Sequence, residues 1–180
     1  MGADAVGIVV SPNHPLTNKP VLVSPMIGWR SDPRKPDGPM PFGILGSVKQ
    51  TQGRGTFAEY IAVDKEDVVP CPEHLAKEGT KQAWAEAAAL PLGGLTAYRA
   101  CFTKGQIKKG DNVLITGIGG GVAIQALQFC TAVGANVWVS SSSKEKIDKA
   151  VQLGARGGVN YKDGALISPL LGRRTERRLR

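Results

Sequence analysis

The spacing of apolar positions changes character along this chain. Up to about residue 81, short apolar runs sit among prolines, glycines and aspartates. Ala5-Val6-Gly7-Ile8-Val9-Val10 reads as a strand that begins almost at the first residue, and Val21-Leu22-Val23 as a second. Residues Ser11 to Pro20 and Gly28 to Phe42 read as loops. Gly55 to Val63 alternates well enough for a further strand, and Asp67-Val68-Val69-Pro70 closes an all-β region.

From Gln82 the pattern becomes helical. Trp84-Ala85-Glu86-Ala87-Ala88-Ala89-Leu90 is rich in strong helix formers and stops at Pro91 and Gly93-Gly94, which predicts a short helix joining two lobes. A second helix is expected over Thr96 to Phe102, and a turn over Lys108 to Asp111. Strands then follow at 112–116, Asn136 to Ser140 and Gly158 to Tyr161. Between them lie a helix that is apolar nearly all round (Val122, Ile124, Ala126, Leu127, Phe129, Cys130, Val133) and an amphipathic one whose inner face is Ile147, Ala150 and Val151. This βαβαβ order predicts an α/β fold with a parallel sheet. After Asp163 the pattern disappears.

The candidate chemistry sits where the first of these three strands empties into glycines, Asn112-Val113-Leu114-Ile115-Thr116-Gly117-Ile118-Gly119-Gly120-Gly121-Val122-Ala123. Glycine lets a turn approach a pyrophosphate closely, and the next helix points unpaired N–H groups and its dipole at negative charge. Gly117-x-x-Gly120-x-x-Ala123 fits better than G-x-G-x-x-G, because Val122 occupies the last glycine position of the latter. The N–H groups around Gly120, Gly121 and Val122 are expected to face the pyrophosphate; the competing reading is a glycine turn without a ligand. An NAD site usually carries Asp or Glu at the end of the second strand. Here that place offers Val139-Ser140-Ser141-Ser142-Ser143-Lys144-Glu145-Lys146, with hydroxyls and lysines and no early acid, which favours NADP over NAD. Ser142 could alternatively cap the next helix in an S-x-x-E box with Glu145.

Composition narrows the classes. A chain of 180 residues, 42% hydrophobic, suits one domain or two small lobes, and no apolar stretch reaches the ~20 residues of a membrane span. The start shows no secretory pattern, so a cytoplasmic location is expected. Three scattered cysteines make neither a disulfide framework nor a cysteine-rich zinc site, and Cys71, three residues from His74, is read as a loop or packing position. Half of the formal charge of +8 lies in Gly172 to Arg180, which reads as a solvated basic tail; a nucleic-acid arm there lacks interleaved aromatics, and no nucleic-acid or membrane partner is expected.

Several segments, in order, resemble the medium-chain dehydrogenase/reductase superfamily, in its zinc-independent quinone oxidoreductase-like and "zinc-binding dehydrogenase" branch. Gly55-Thr56-Phe57-Ala58-Glu59-Tyr60 is similar to the family's G-x-x-A-E-Y strand, and Ala87 to Tyr98 to its A-A-A-L-P-x-x-x-x-T-A-Y segment. Lys109 to Gly117 matches the entry to its coenzyme domain, and Leu153-Gly154-Ala155 with Val159-Asn160-Tyr161 the end of the second helix and the third strand. The resemblance implies a partial GroES-like β lobe over residues 1–81, a partial Rossmann lobe with its linking helix over 82–163, and a non-family basic tail over 164–180, as in a family member truncated at both ends. It implies Ser142, Ser143, Lys146 and Tyr161 as contacts to the 2′-phosphate of NADP and places Thr96 near the nicotinamide or its phosphates; a helix-initiating threonine is the alternative for Thr96.

No zinc is expected, since Gly2-Ala3-Asp4 stands where a G-H-E segment of zinc alcohol dehydrogenases would lie and the four-cysteine loop is missing. His14 reads as a loop histidine, and no residue is named as catalytic. The function implied is hydride transfer between NADP and a small quinone, enone or other carbonyl compound. The rival is a non-catalytic dinucleotide-binding fragment. Family members are often homodimers, with the dimer-forming part expected outside this sequence.

Overall fold

A computed structural model describes residues 1–32, 34–37, 42–47, 51–52, 54–77 and 80–163. The chain divides into two compact units, Met1–Leu92 and Gly93–Arg180. The division falls between Leu92 and Gly93, after the short helix read above as joining two lobes. The basic tail, residues 164–180, lies outside the described residues.

In the first unit β1 (Val6–Ile8), β2 (Pro20–Val23) and β5 (Val68–Pro70) form an antiparallel sheet in the order β1-β2-β5, with Val6 opposite Leu22 and Leu22 opposite Val69. Alternation along β2 buries Val21 and Val23. A small antiparallel pair, β3 (Met26–Ile27) and β4 (Gly43–Ile44), is too short for its hydrophobic period to be read from sequence. Helix α1 (Glu73–Lys77) follows Cys71-Pro72 where the sequence suggested a loop. Helix α2 (Lys81–Ala88) begins on Thr80, whose Oγ1 accepts the Ala83 N–H, and buries Ala83 and Ala87 one turn apart.

Gly55–Val63 is not a strand, contrary to the alternation of its residues. Thr56 N–H donates to Gly2 C=O, but no described strand pairs with the rest, and Phe57 and Tyr60 are exposed. A period of two selects the face a strand would bury; the strand itself needs a partner for its backbone groups.

The second unit opens with α3 (Pro91–Tyr98), which straddles the division and starts five residues before Thr96. Thr96 therefore does not initiate the helix. Proline suits the first helical position because its missing N–H has no partner there anyway. At Arg99–Lys104 the helix widens into a π-type turn, closed by Gly105 N–H to Ala100 C=O.

Strands β6 (Asn112–Ile115), β7 (Asn136–Ser141) and β8 (Gly157–Asn160) form a parallel sheet in that order, with α4 (Gly121–Ala132) and α5 (Lys144–Gln152) as crossovers. One core joins Ala97, Cys101, Ile118, Ala126, Leu127, Cys130, Val137, Val139, Ile147, Ala150 and Ala155. The buried stripe of α5 is Ile147 and Ala150; Val151, read above as part of that face, is 45% exposed because no described element covers it.

Candidate nucleotide-binding turn

The turn after β6 is built by the backbone. Gly117 and Gly119 have φ of +65° and +120°, a region that L side chains avoid, so these two positions require glycine. Ile118 between them points inward, 4% exposed, and its N–H donates to Ser140 C=O at 3.0 Å, strapping the turn to the end of β7. Gly120 is the N-cap of α4 in extended conformation and offers no side-chain cap. The helix's first backbone bond runs from Ile124 N–H to Gly120 C=O, so the N–H groups of Gly121, Val122 and Ala123 have no acceptor within the helix. A methyl at Gly121 would meet nothing within 4 Å, which leaves the space before these donors open. Val122 contributes its N–H; its side chain is 38% exposed.

The other predicted contacts gather at the same carboxyl ends of the strands. Parallel register puts Ser141 opposite Asn160, and Ser142 and Tyr161 are the next residues of their chains; Ser142 is exposed and Tyr161 is 60% exposed. Ser143, not Ser142, caps α5: its Oγ accepts the Lys146 N–H at 3.3 Å, and its own N–H donates to Ser141 Oγ at 3.1 Å. The S-x-x-E box does not form, because the helix starts one residue later than that pattern requires and Glu145 pairs with Lys149 at 2.9 Å. That ammonium holds the Glu145 carboxyl below its ordinary range.

Lys144 pairs with Asp148 at 2.7 Å, whereas Lys146 makes no ion pair among the described residues. The Lys146 side chain lies along Gly119 instead, where a methyl would come 2.8 Å from its Cδ and 3.3 Å from its Nζ. One unpaired cation therefore lies against the glycine turn.

Helix α3, which carries Thr96, packs closely on α4 at its start. Methyl groups at Gly93 and Gly94 would come 2.6 and 2.7 Å from the Gln125 carboxamide, and the one at Gly93 also 3.7 Å from the backbone of Gly121. Thr96, one turn beyond Gly93, is exposed on that side of α3. Sequence reasoning missed Gln125 because its spacing within α4 marks it only as a polar interruption.

Elsewhere the side chains have structural partners. His14 accepts the Leu16 N–H at Nδ1 (3.0 Å) and has Nε2 3.1 Å from Lys65 C=O, a loop role. Asp4, in the segment that stands for G-H-E, accepts the Leu92 N–H at 2.6 Å and so caps the start of α3. Cys71 is buried, which pushes its thiol up, while His74 is exposed. Among the described residues no group of three or more His, Cys, Asp or Glu side chains is placed to hold a metal ion. No helix of the described residues is long and apolar enough to cross a membrane.

No protein-family model matches the chain. It is 45% identical over 170 residues to the zinc-type alcohol dehydrogenase-like protein YogA of Leptosphaeria maculans, covering 90% of this chain and 46% of that protein. Among solved structures, an NAD-dependent alcohol dehydrogenase superposes with a TM-score of 0.74 at 32% identity, over 90% of this chain and 46% of the other. The crotonyl-CoA carboxylase/reductase AntE, solved in complex with NADP, superposes with a TM-score of 0.71 at 26% identity, over 91% and 40%. In sequence and in fold the chain is similar to proteins of the medium-chain dehydrogenase/reductase superfamily, and it has their α/β architecture with a GroES-like and a Rossmann unit. It spans less than half the length of the curated relatives it matches, 46% of the Leptosphaeria maculans protein.

Proposed function

We propose that the chain binds NADP at the glycine turn and serves an oxidoreductase that transfers hydride to a quinone, enone or other small carbonyl compound, in the cytoplasm and without catalytic zinc. The observation that carries this reading is the unpaired Lys146 lying along Gly119, beside the open N–H groups of α4, in a crossover whose preceding strand ends in serines rather than a carboxylate. An anion is favoured there by the helix dipole, by the free donors and by a cation that makes no ion pair among the described residues.

The residues fit the divided charge of the nucleotide. N–H groups of Gly121 and Val122, with the close backbone approach allowed by Gly117 and Gly120, hold the pyrophosphate. Ser142, Ser143, Lys146 and Tyr161 hold the 2′-phosphate; the Ser143 oxygen accepts from Lys146 N–H and keeps its own O–H to donate. Thr96 orients the nicotinamide end. When bound, the nicotinamide supplies the hydride, while the chain's part is to fix and select the nucleotide. The NADP complex of the related carboxylase/reductase supports this choice, and the NAD-dependent neighbour is the reason to test it.

Titration of the purified chain with NADPH and NADH, wild type beside Lys146→Ala, decides the matter. Loss of one charge-assisted contact to the 2′-phosphate is expected to weaken NADPH about tenfold and leave NADH nearly unchanged. Equal loss for both nucleotides, or tighter binding of NADH by the wild type, overturns the NADP assignment. A second reading, a dinucleotide-binding chain without turnover, rests on its spanning less than half the length of its relatives. Binding without NADPH oxidation across a panel of quinones and enones selects it.

A further inference from the structure

Two cysteines of the Rossmann unit face one another across a helix contact. Cys101, in the π-type turn, and Cys130, in the last part of α4, have their sulfurs 3.5 Å apart, with the Cys130 thiol donating to Cys101. They are 5% and 0% exposed, and both are free thiols. Neighbouring rings hold the contact in register: Phe102 and Phe129, each next in sequence to one of the cysteines, have centroids 6.1 Å apart, and Tyr98 packs edge-on against both. A core position asks only for a small apolar side chain, which alanine would supply; two thiols aimed at each other add a chemistry that the nucleotide reading does not use.

We propose that Cys101 and Cys130 form a reversible intramolecular disulfide, a redox latch between the π-type turn and α4, with a peroxide as oxidant. The bond length of about 2.05 Å requires the sulfurs to approach by about 1.5 Å, which χ1 rotation and a shift of the wide turn would have to supply. Cys101, the more exposed of the two, reacts first. Its sulfur displaces hydroxide from hydrogen peroxide and becomes a sulfenic acid, the oxygen–oxygen bond breaking and one water leaving with the thiol proton. Cys130 sulfur then attacks the sulfenic sulfur; the S–O bond breaks, the S–S bond forms, and the second thiol proton departs with the hydroxyl as water. In all, two thiols and one peroxide give one disulfide and two waters.

Burial gates the reaction. It pushes the Cys130 thiol up to about 12, so thiolate is scarce while the unit is closed, and oxidation proceeds through openings at the π-type turn. Once formed, the bond spans the strand β6 and the glycine turn and resists those openings.

Exposing the whole chain under native conditions to hydrogen peroxide, followed by alkylation in denaturant and peptide mapping, tests the latch. The expected product has lost two hydrogens and joins the Cys101 and Cys130 peptides, with Cys71 unlinked; dithiothreitol reverses it. The thermal midpoint of the oxidised chain should rise by about 5 °C or more, because the cross-link constrains the unfolded state. Cys101→Ser should give no joined peptide. Both thiols remaining alkylatable, oxygenation of either to sulfinic acid without linkage, or a link that includes Cys71 would each overturn the proposal, and the mapping of the wild-type chain reads all three outcomes even where the variant folds poorly.

Discussion

The two units of this chain solve the burial problem differently. The Rossmann unit closes one core over eleven buried residues between Ala97 and Ala155, while among its described residues the first unit buries Val21, Val23, Pro25, Leu45, Cys71, Ala83 and Ala87, mostly small side chains, and leaves Phe57 and Tyr60 exposed at 86% and 76%. The difference follows from topology. A βαβ crossover carries the helix that covers its own strands, so each repeat adds both halves of a contact. An antiparallel lobe depends on strands brought from far along the chain, as β2 pairs with β5 across nearly fifty residues (Val21 with Pro70), and a stretch such as Gly55–Val63 stays irregular where no described strand pairs with it.

The contrast breaks most sharply on the core itself. Leu127→Ala removes a fully buried side chain at the centre of the Rossmann core and should destabilise it by about 2–5 kcal/mol, whereas Tyr60→Ala, on the exposed segment, should change stability by no more than about 0.5 kcal/mol. Urea unfolding of the two variants measures both. Similar losses would mean that the Gly55–Val63 segment carries tertiary contacts comparable to those of the core.

A smaller effect depends on pH. Cys130 binds its proton more tightly when buried, its pKa rising from 9.0 to about 12, so its contribution to stability is complete below pH 9. Above that pH the unfolded chain releases the proton first, and stability should fall by about 1.4 kcal/mol per pH unit until the folded thiol titrates. The urea midpoint under reducing conditions should therefore drop from about pH 8 to about pH 10 in the wild type, and Cys130→Ala should flatten that slope. An unchanged slope in the variant would assign the loss to other groups.

The smallest change sharpens the picture of the first unit. Thr80→Ala removes the hydroxyl that accepts Ala83 N–H at the start of α2 and should cost about 1 kcal/mol, read as an earlier urea transition with no effect on nucleotide affinity.

Legibility in the sequence follows the same division. The β6-turn-α4 element was legible because it is local: an apolar run, glycines whose positive φ is required at Gly117 and Gly119, and a helix pattern that resumes at once. The order of β7, α5 and β8 was legible for the same reason, as was the absence of an acid at the end of β7. The cap of α5 on Ser143 rather than Ser142 was not, since four successive serines leave the helix start to the packing of Ile147 and Ala150. Nor was the start of α3 at Pro91, where the Leu92 N–H is met by Asp4 from far away in the chain.

By itself, then, the sequence determined the residue types that a phosphate turn needs and the alternation that makes a parallel sheet, because both depend on neighbours within a few residues. Tertiary structure alone decided that Lys146 lies along Gly119, that Gln125 packs against Gly93 and Gly94, and that Cys101 meets Cys130. Each of these joins elements separated by many residues, and the distance between them is set by how the helices pack on the sheet, which no local period encodes.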